Sequence, residues 1–157
     1  MVFSAAVASL CAGAGFPGKL FFGWVSDKAS IKLCMICVIA AQFVGQFLMY
    51  LSETTGLFVV GATIFGFGVG GVVPMQGAIV GRTFGRSSFG SVLGIMRPAM
   101  FPIQILGVPF AGLVFDEFGS YDIAFRVFLL LYLIAIVSIC FYKRPVEKIS
   151  DMYLEAK

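Results

Sequence analysis

The chain has 157 residues, of which 60% are hydrophobic and only 12% are charged, and its formal net charge is +3. A soluble domain carries about 25% charged residues, so the composition excludes an ordinary water-soluble globule and favours a bilayer as solvent. No basic run of the kind that binds nucleic acid is present, and histidine is absent. We therefore expect an all-α membrane protein with no cofactor, no metal and no nucleic-acid partner.

Five apolar segments are each near the roughly 20 residues that a membrane-spanning helix needs. We number these predicted spans one to five: 2–25, 33–51, 57–80, 92–115 and 123–142. Short connections join them, at 26–32, 52–56, 81–91 and 116–122. The sequence thus predicts a five-span transmembrane domain over residues 1–142 and a polar tail over 143–157. Span one has no basic residue before Lys19, so a spanning helix fits it better than the alternative, a cleaved signal segment.

Basic residues lie on one side of the predicted bundle. The connections 26–32 and 81–91, together with the tail, contain Lys28, Lys32, Arg82, Arg86, Lys143, Arg144, Lys148 and Lys157. The other two connections contain no lysine or arginine. Because basic loops stay cytoplasmic, we expect the amino terminus outside and the carboxy terminus in the cytoplasm, in the plasma or inner membrane of a cell.

The spans differ in their content of proline and glycine. Spans one, three and four contain five prolines, and span three is rich in glycine, whereas spans two and five have no proline and one glycine between them. Proline breaks the helical hydrogen-bond ladder and glycine lets helices approach closely. We expect helix packing and bending to depend on Gly66, Gly70, Pro74, Pro98, Pro102 and Pro109.

An internal repeat links spans one and four. The spacing Gly18-x4-Gly23-x3-Asp27 recurs 89 residues later, from Gly107 to Asp116, and each copy is followed by a short turn and a span without proline. The two acids lie on opposite sides of the predicted membrane. This arrangement indicates an inverted-topology 3+3 repeat, the construction of many secondary transporters. Spans three to five form one complete triple, and spans one and two lack the first helix of the other.

The hairpin from Gly23 to Lys32 carries a family resemblance. Gly23, Asp27 and Lys28, with Lys32 beyond, resemble the cytoplasmic hairpin motif of the major facilitator superfamily. The stretches 82–90 and 107–125 resemble the connection between helices ten and eleven, and helices eleven to twelve, of its members. The latter is similar to monocarboxylate-type and oxalate/formate-type carriers. The resemblance implies the carboxy-terminal six-helix half without its first helix, helices eight to twelve, and a gating role for the hairpin motif.

Three polar side chains inside the spans are candidate substrate ligands: Arg97, Gln76 and Gln104. Arg97 lies about two turns into span four, roughly 9 Å from its start, where a charge usually faces a cavity or a partner. It can hold a carboxylate through two parallel hydrogen bonds; the alternative is that it snorkels to the headgroups. The two glutamines can bind substrate or, alternatively, hydrogen-bond across helices.

The remaining polar patterns point to local roles. Asp27 with Lys28 can hold a cytoplasmic gate closed by facing a helix end, or it is a solvated turn. The stretch 66–71 matches the G-x-G-x-x-G fingerprint, but it lies inside an apolar span without the required strand. Cys34 and Cys37 match C-x-x-C without a second ligand pair. Arg126 lies four residues from Asp122, a spacing that predicts a local pair.

The sequence therefore predicts part of a secondary active transporter that works by alternating access. The substrate is a small organic anion such as a monocarboxylate, moved with proton coupling or by exchange. The expected partners are the lipid bilayer, the substrate, and a missing amino-terminal half or partner chain. The alternative is a non-transporting helical membrane fragment that only assembles with a partner. No cluster of acids lies at one depth, so we do not expect an enzyme.

Overall fold

The part of the chain that the structure describes folds into five helices that are long and apolar enough to cross a membrane. The structure is a computed structural model that describes residues 2–141, with side chains given for 5–85 and 87–141. The helices are α1 (Val2–Lys28), α2 (Ile31–Tyr50), α3 (Thr55–Gly85), α4 (Ser87–Phe118) and α5 (Asp122–Phe141). They correspond in order to the five predicted spans, which confirms the all-α fold class. The tail predicted over 143–157 lies outside the described residues.

The turn between α3 and α4 is much shorter than the connection predicted over 81–91. Helical structure continues through this region, and its one non-helical residue is Gly85, with φ 72° and ψ −179°. Glycine adopts a positive φ readily because it has no Cβ. A Cβ built on Gly81 would lie 3.7 Å from the Phe89 ring, so α4 folds back beside α3. The predicted spans 57–80 and 92–115 have the length that a bilayer requires, whereas α3 and α4 continue beyond these limits into the polar residues of the connection.

The other connections are also short and use capping residues. Two residues separate α1 from α2, and the Thr54 side chain accepts a hydrogen bond from the backbone N–H of Leu57 at 3.4 Å. Gly119 ends α4 in the left-handed conformation, with φ 66°, and its N–H donates to the carbonyl of Phe115. Such caps satisfy backbone groups that a helix leaves unpaired at its ends.

The prolines of the predicted spans lie inside continuous helices. Pro17 is within α1, and four further prolines lie within the helical stretch from Thr55 to Phe118. These four are Pro74, Pro98, Pro102 and Pro109. Within that stretch the backbone leaves helical φ/ψ angles at Gly85 rather than at a proline. The sharp change in chain direction therefore comes from a glycine.

The packed core lies between α1, α2 and α3. Phe22, Cys34, Val38 and Met75 form a buried cluster. α5 packs mainly against α2, and α4 is the most exposed of the five helices. We call the end of the bundle that carries Lys28 and Arg82 the basic end, and the end that carries Glu53 and Glu117 the acidic end.

Candidate functional site

The hairpin between α1 and α2 holds its charges in different ways. The ammonium of Lys28 lies 4.2 Å from the centroid of the Trp24 ring, a cation–π contact. The hydroxyl of Ser26 donates to the carbonyl of Gly23 at 2.7 Å. Asp27 is exposed and forms no hydrogen bond or ion pair with another described residue. In this part of the chain, the carboxylate of Asp27 is thus the charge left available for another group.

Two basic side chains at the basic end donate to backbone carbonyls of neighbouring helices. The ammonium of Lys32 donates to the carbonyl of Cys140 at 2.6 Å, and the guanidinium of Arg82 donates to the carbonyl of Ser26. Both acceptors lie in the last turn of a helix, where carbonyls lack helical partners and the dipole favours a cation. Lys32 therefore joins α2 to α5, and Arg82 joins α3 to α1. In the sequence, Arg82 is a basic residue at a predicted helix end, which indicates the orientation of the chain but does not identify the carbonyl that accepts its hydrogen bond.

α1 and α3 approach until their backbones touch. A Cβ built on Gly70 would lie 2.1 Å from the carbonyl oxygen of Gly15, and one on Gly66 would lie 2.2 Å from that of Cys11. Real Cβ atoms essentially never approach within 3.0 Å, so only glycine fits. We call this contact the glycine seam; it consists of Cys11, Gly15 and Gly18 on α1 with Gly66, Phe67 and Gly70 on α3. The G-x-G-x-x-G pattern thus lies in a helix–helix contact.

A second glycine face of α3 packs against α2. A Cβ on Gly61 would lie 2.8 Å from the carbonyl oxygen of Gly45, and one on Gly68 would lie 2.9 Å from the backbone nitrogen of Gln42. α3 therefore carries glycines on two faces, one toward each neighbour. This arrangement makes α3 the helix around which α1 and α2 are packed.

Gln76 lies in a small cavity of about 250 Å³ between α2, α3 and α4. Its amide N–H donates toward the sulfur of Met100 at 3.7 Å. Four methionines line this cavity, Met35, Met75, Met96 and Met100. The contact links one predicted substrate ligand to α4, the helix that carries the other two.

Arg97 is exposed on α4 and forms no hydrogen bond or ion pair with another described residue. It lies ten residues after Ser87, about 15 Å along the helix. α4 is about 48 Å long at 1.5 Å per residue, whereas the hydrocarbon core is about 30 Å thick. The helix ends therefore extend beyond the core, and Arg97 lies within reach of both the bilayer interior and the headgroups at the basic end.

Gln104 lines a larger cavity of about 950 Å³, together with residues of α2, α3 and α5. Gln42 and Gln46 of α2 line the same cavity and are each 7% exposed. The amide of Gln42 donates to the carbonyl of Val38 in its own helix at 3.4 Å. The structure therefore brings Gln104 together with two glutamines of α2, while Gln76 faces a separate cavity.

Lys19 is a cation inside a membrane-spanning helix that is not among the predicted site residues. The structure places it within α1, nine residues before Lys28. This is about 14 Å from the helix end. The sequence carried a signal for this position, because Lys19 lies inside predicted span one, nearly two turns before the end of that span.

Arg126 does not form the local ion pair with Asp122 that its spacing in the sequence predicted. Its guanidinium donates to the hydroxyl of Tyr50 at 3.0 Å, and lies 5.9 Å from the centre of that ring. The hydrogen bond therefore goes to α2 rather than to Asp122 in the same helix. It joins α2 to α5 at the acidic end, as Lys32 does at the basic end.

Comparisons with known proteins place the chain among transporters. The sequence model of the Major Facilitator Superfamily matches residues 2–151. The chain is 31% identical over 112 residues to monocarboxylate transporter 12 of Xenopus laevis, a match covering 69% of the chain and 24% of that protein. It is 33% identical over 107 residues to low affinity inorganic phosphate transporter 4 of Petunia hybrida, covering 62% and 19%. For monocarboxylate transporter 10 of Homo sapiens the identity is 28% over 111 residues, covering 69% and 22%.

The chain thus spans a quarter or less of the length of these relatives. No solved structure gives a significant match.

Proposed function

The chain belongs to the major facilitator superfamily, and from this premise we propose that it forms part of a secondary active transporter working by alternating access. In such carriers two helical units rock against each other around a site near the bilayer midplane. The support comes from the family match and from relatives named as transporters. The substrate we propose is a small organic anion such as a monocarboxylate, moved with a proton or by exchange.

The observation that carries the anion proposal is Arg97 of α4, a cation at membrane depth whose side chain has no partner among the described residues. A cation inside a span is costly unless it faces water, a partner or a ligand. Lys19 of α1 adds to this, because it is exposed and lies about 14 Å from the basic end of its own helix, as Arg97 lies about 15 Å from that of α4. Two cations at similar distances from the basic ends of their helices favour a negatively charged substrate, and Gln76 and Gln104 are the neutral ligands we propose beside them.

Substitution of Arg97 tests this proposal in cells that express the complete protein. Arg97→Ala removes the two-pronged donor and should abolish uptake of a radiolabelled monocarboxylate while membrane expression stays normal. Arg97→Lys keeps the charge and should retain part of the uptake. Arg126→Gln changes an exposed arginine at the acidic end and serves as the control that keeps transport. Normal uptake by Arg97→Ala would show that Arg97 snorkels to the headgroups and binds no substrate.

The hairpin residues Gly23, Asp27, Lys28 and Lys32 form the gate in this proposal. Lys28 is held by Trp24 within the hairpin, and Lys32 is held by the carbonyl of Cys140 in α5, so both already have partners in this structure. The carboxylate of Asp27 is free among the described residues to face an opposing helix end. We propose that it makes this contact when the cytoplasmic side is closed.

A second candidate is a helical fragment that transports nothing until it joins a partner chain. The observation that favours it is the match to only 24% of the length of a relative. Purified 157-residue chain in liposomes distinguishes the two candidates, because saturable uptake by this chain alone would exclude the second. In either case we propose a non-enzymatic, multi-pass protein of the plasma or inner membrane, with its amino terminus outside and its carboxy terminus in the cytoplasm.

A further inference from the structure

The cavity around Gln76 is apolar apart from that one side chain. Of the ten described residues that line it, nine are hydrophobic and none is charged. Three of them, Val38, Met75 and Val80, belong to the packed interior and are each at most 3% exposed. An apolar cleft with one well-placed hydrogen-bonding group is typical of a small-molecule site. The cavity is therefore suited to an apolar group that carries a polar atom at one end.

Methionine supplies much of the wall of this cavity, which we call the methionine cavity. Met35 of α2, Met75 of α3, and Met96 and Met100 of α4 line it from three helices. Methionine is flexible and ordinarily fills gaps in a core, and its sulfur makes favourable contacts with aromatic rings. Here the four side chains leave about 250 Å³ open. Because an apolar cavity of about 150 Å³ binds benzene, this one has room for a ring and a short linking group.

Gln76 has only a weak hydrogen-bond acceptor inside the methionine cavity. Its amide N–H donates to the thioether sulfur of Met100 at 3.7 Å, and a thioether is a weak acceptor. A keto or hydroxyl oxygen of a bound molecule is a stronger acceptor than this sulfur. Gln76 can therefore exchange its contact with Met100 for one with a ligand, and its amide N–H stays paired.

Arg97 lies between the two α4 methionines of the cavity in the sequence. It directly follows Met96 and precedes Met100 by three residues, and residues three apart are neighbours on a helix surface. Gln104 is the first residue through which α4 lines the larger cavity, and it comes seven residues after Arg97, about 10 Å further along the helix. Along α4, the guanidinium of Arg97 therefore belongs with the methionine cavity rather than with the larger one.

We propose that the methionine cavity receives the apolar side chain of the transported anion, and that the substrate is a monocarboxylate whose side chain is the size of a ring. This inference rests on the transport function proposed above and names the substrate class for the same site. Arg97 holds the carboxylate, Gln76 donates to an oxygen beside it, and Met96 and Met100 contact the ring. Preference for the larger acid comes from the apolar area that its side chain buries.

Uptake of two 2-oxo acids by the complete protein in proteoliposomes tests this inference. Pyruvate and phenylpyruvate carry the same carboxylate and keto groups and differ by the phenyl ring. We expect Vmax/KM to be at least about tenfold higher for phenylpyruvate, because its ring leaves water for the cavity. Saturable uptake of both acids with equal Vmax/KM would overturn this inference alone. No saturable uptake of either acid would overturn the transport proposal and this inference with it.

Met96→Trp fills the methionine cavity, and Ile95→Trp is its matched control. Ile95 directly precedes Met96, is 75% exposed and does not line the cavity. In Met96→Trp we expect the Vmax/KM values of the two acids to differ by less than about twofold, because the indole occupies the space of the substrate ring. The preference for phenylpyruvate should persist in Ile95→Trp. A preference that survives in Met96→Trp would place the ring elsewhere and overturn the inference.

Met100→Ala is a second test that does not depend on whether Met96→Trp folds. Alanine shortens one wall and enlarges the cavity. Vmax/KM for a naphthyl analogue of phenylpyruvate, relative to that for phenylpyruvate, should therefore rise at least about fivefold. Ile103→Ala is the control, because Ile103 lies three residues further along α4, is 75% exposed and lines neither cavity. An unchanged ratio in Met100→Ala would contradict the placement of the ring in this cavity.

Discussion

Basic side chains near helix ends join neighbouring helices through hydrogen bonds in this protein. Arg82 and Lys32 each donate to a carbonyl in the last turn of a neighbouring helix, and Arg126 donates to Tyr50 at the other end. The sequence showed which residues are basic and on which side they lie. It did not show their partners, because those depend on which helix ends meet in space.

Arg82→Gln should loosen the hairpin that Arg82 holds from α3. A hydrogen bond from a charged donor contributes about 1.5–3 kcal/mol when it is protected from water, and Arg82 is exposed, so we expect a loss of about 1 kcal/mol. Thermal unfolding in detergent should show a lower midpoint, and the α1–α2 hairpin should be cleaved faster by a protease. Arg82→Lys keeps a hydrogen-bond donor, so its unfolding midpoint and its cleavage rate should lie between those of Arg82→Gln and those of the unsubstituted chain. An unchanged midpoint and cleavage rate for Arg82→Gln would mean that the contact does not stabilise the hairpin.

Helix contacts in this protein depend on where glycine lies rather than on how much glycine there is. Gly18, Gly66 and Gly70 lie where a Cβ would clash with backbone, while Gly13 in the same helix as Gly18 has open space around it. The sequence predicted close packing for the glycine-rich span and identified Gly66 and Gly70. It could not separate the contact glycines from the others, because both kinds occur within each helix.

Gly18→Ala and Gly13→Ala form a matched pair within α1. Alanine at 18 would place its Cβ 2.2 Å from a backbone oxygen of α3, so the helices must separate, at a cost of about 1–3 kcal/mol or more. Alanine at 13 meets nothing and gains helix propensity, up to about 1 kcal/mol. Thermal unfolding in detergent should therefore show a lower midpoint for Gly18→Ala and an equal or higher one for Gly13→Ala. Equal midpoints would rule out the glycine seam.

The turn at Gly85 shows that bilayer thickness alone does not predict where a helix ends. Bilayer thickness gives the minimum length of a spanning helix, and the predicted spans kept to it. Helices can continue past the membrane as long as local sequence allows. Arg82 is in the last turn of α3 for this reason, and only a glycine with positive φ ends it.

At the scale of the whole molecule, the alternation of charge gives a testable orientation. The connections at one end of the bundle contain Lys28, Lys32 and Arg82, whereas those at the other end contain Glu53, Asp116, Glu117 and Asp122 and no lysine or arginine, so we expect the basic end in the cytoplasm. A membrane-impermeant thiol reagent should label Glu53→Cys on intact cells and should label Lys28→Cys only after the membrane is opened. The parent chain, with its four cysteines, gives the background. The reverse labelling pattern would invert the proposed topology.

At the same scale, some features of the fold could be predicted from the sequence and others could not. The number of helices, their order and the family follow from apolar length and a few motif residues, and the structure and the family match confirm them. Which cavity each glutamine faces did not follow, because Gln76 and Gln104 lie in similar sequence surroundings yet line different cavities. That difference is set by how α4 folds back on α3.

The most direct measurement is substrate uptake by the complete protein in proteoliposomes. A radiolabelled monocarboxylate and an uncharged solute of similar size are compared, with and without an inward proton gradient. We predict saturable uptake of the anion, competition by other monocarboxylates, little uptake of the uncharged solute, and dependence either on the gradient or on an internal exchange anion. No saturable uptake of any anion under either condition, with protein correctly inserted, would contradict the proposed organic-anion transport.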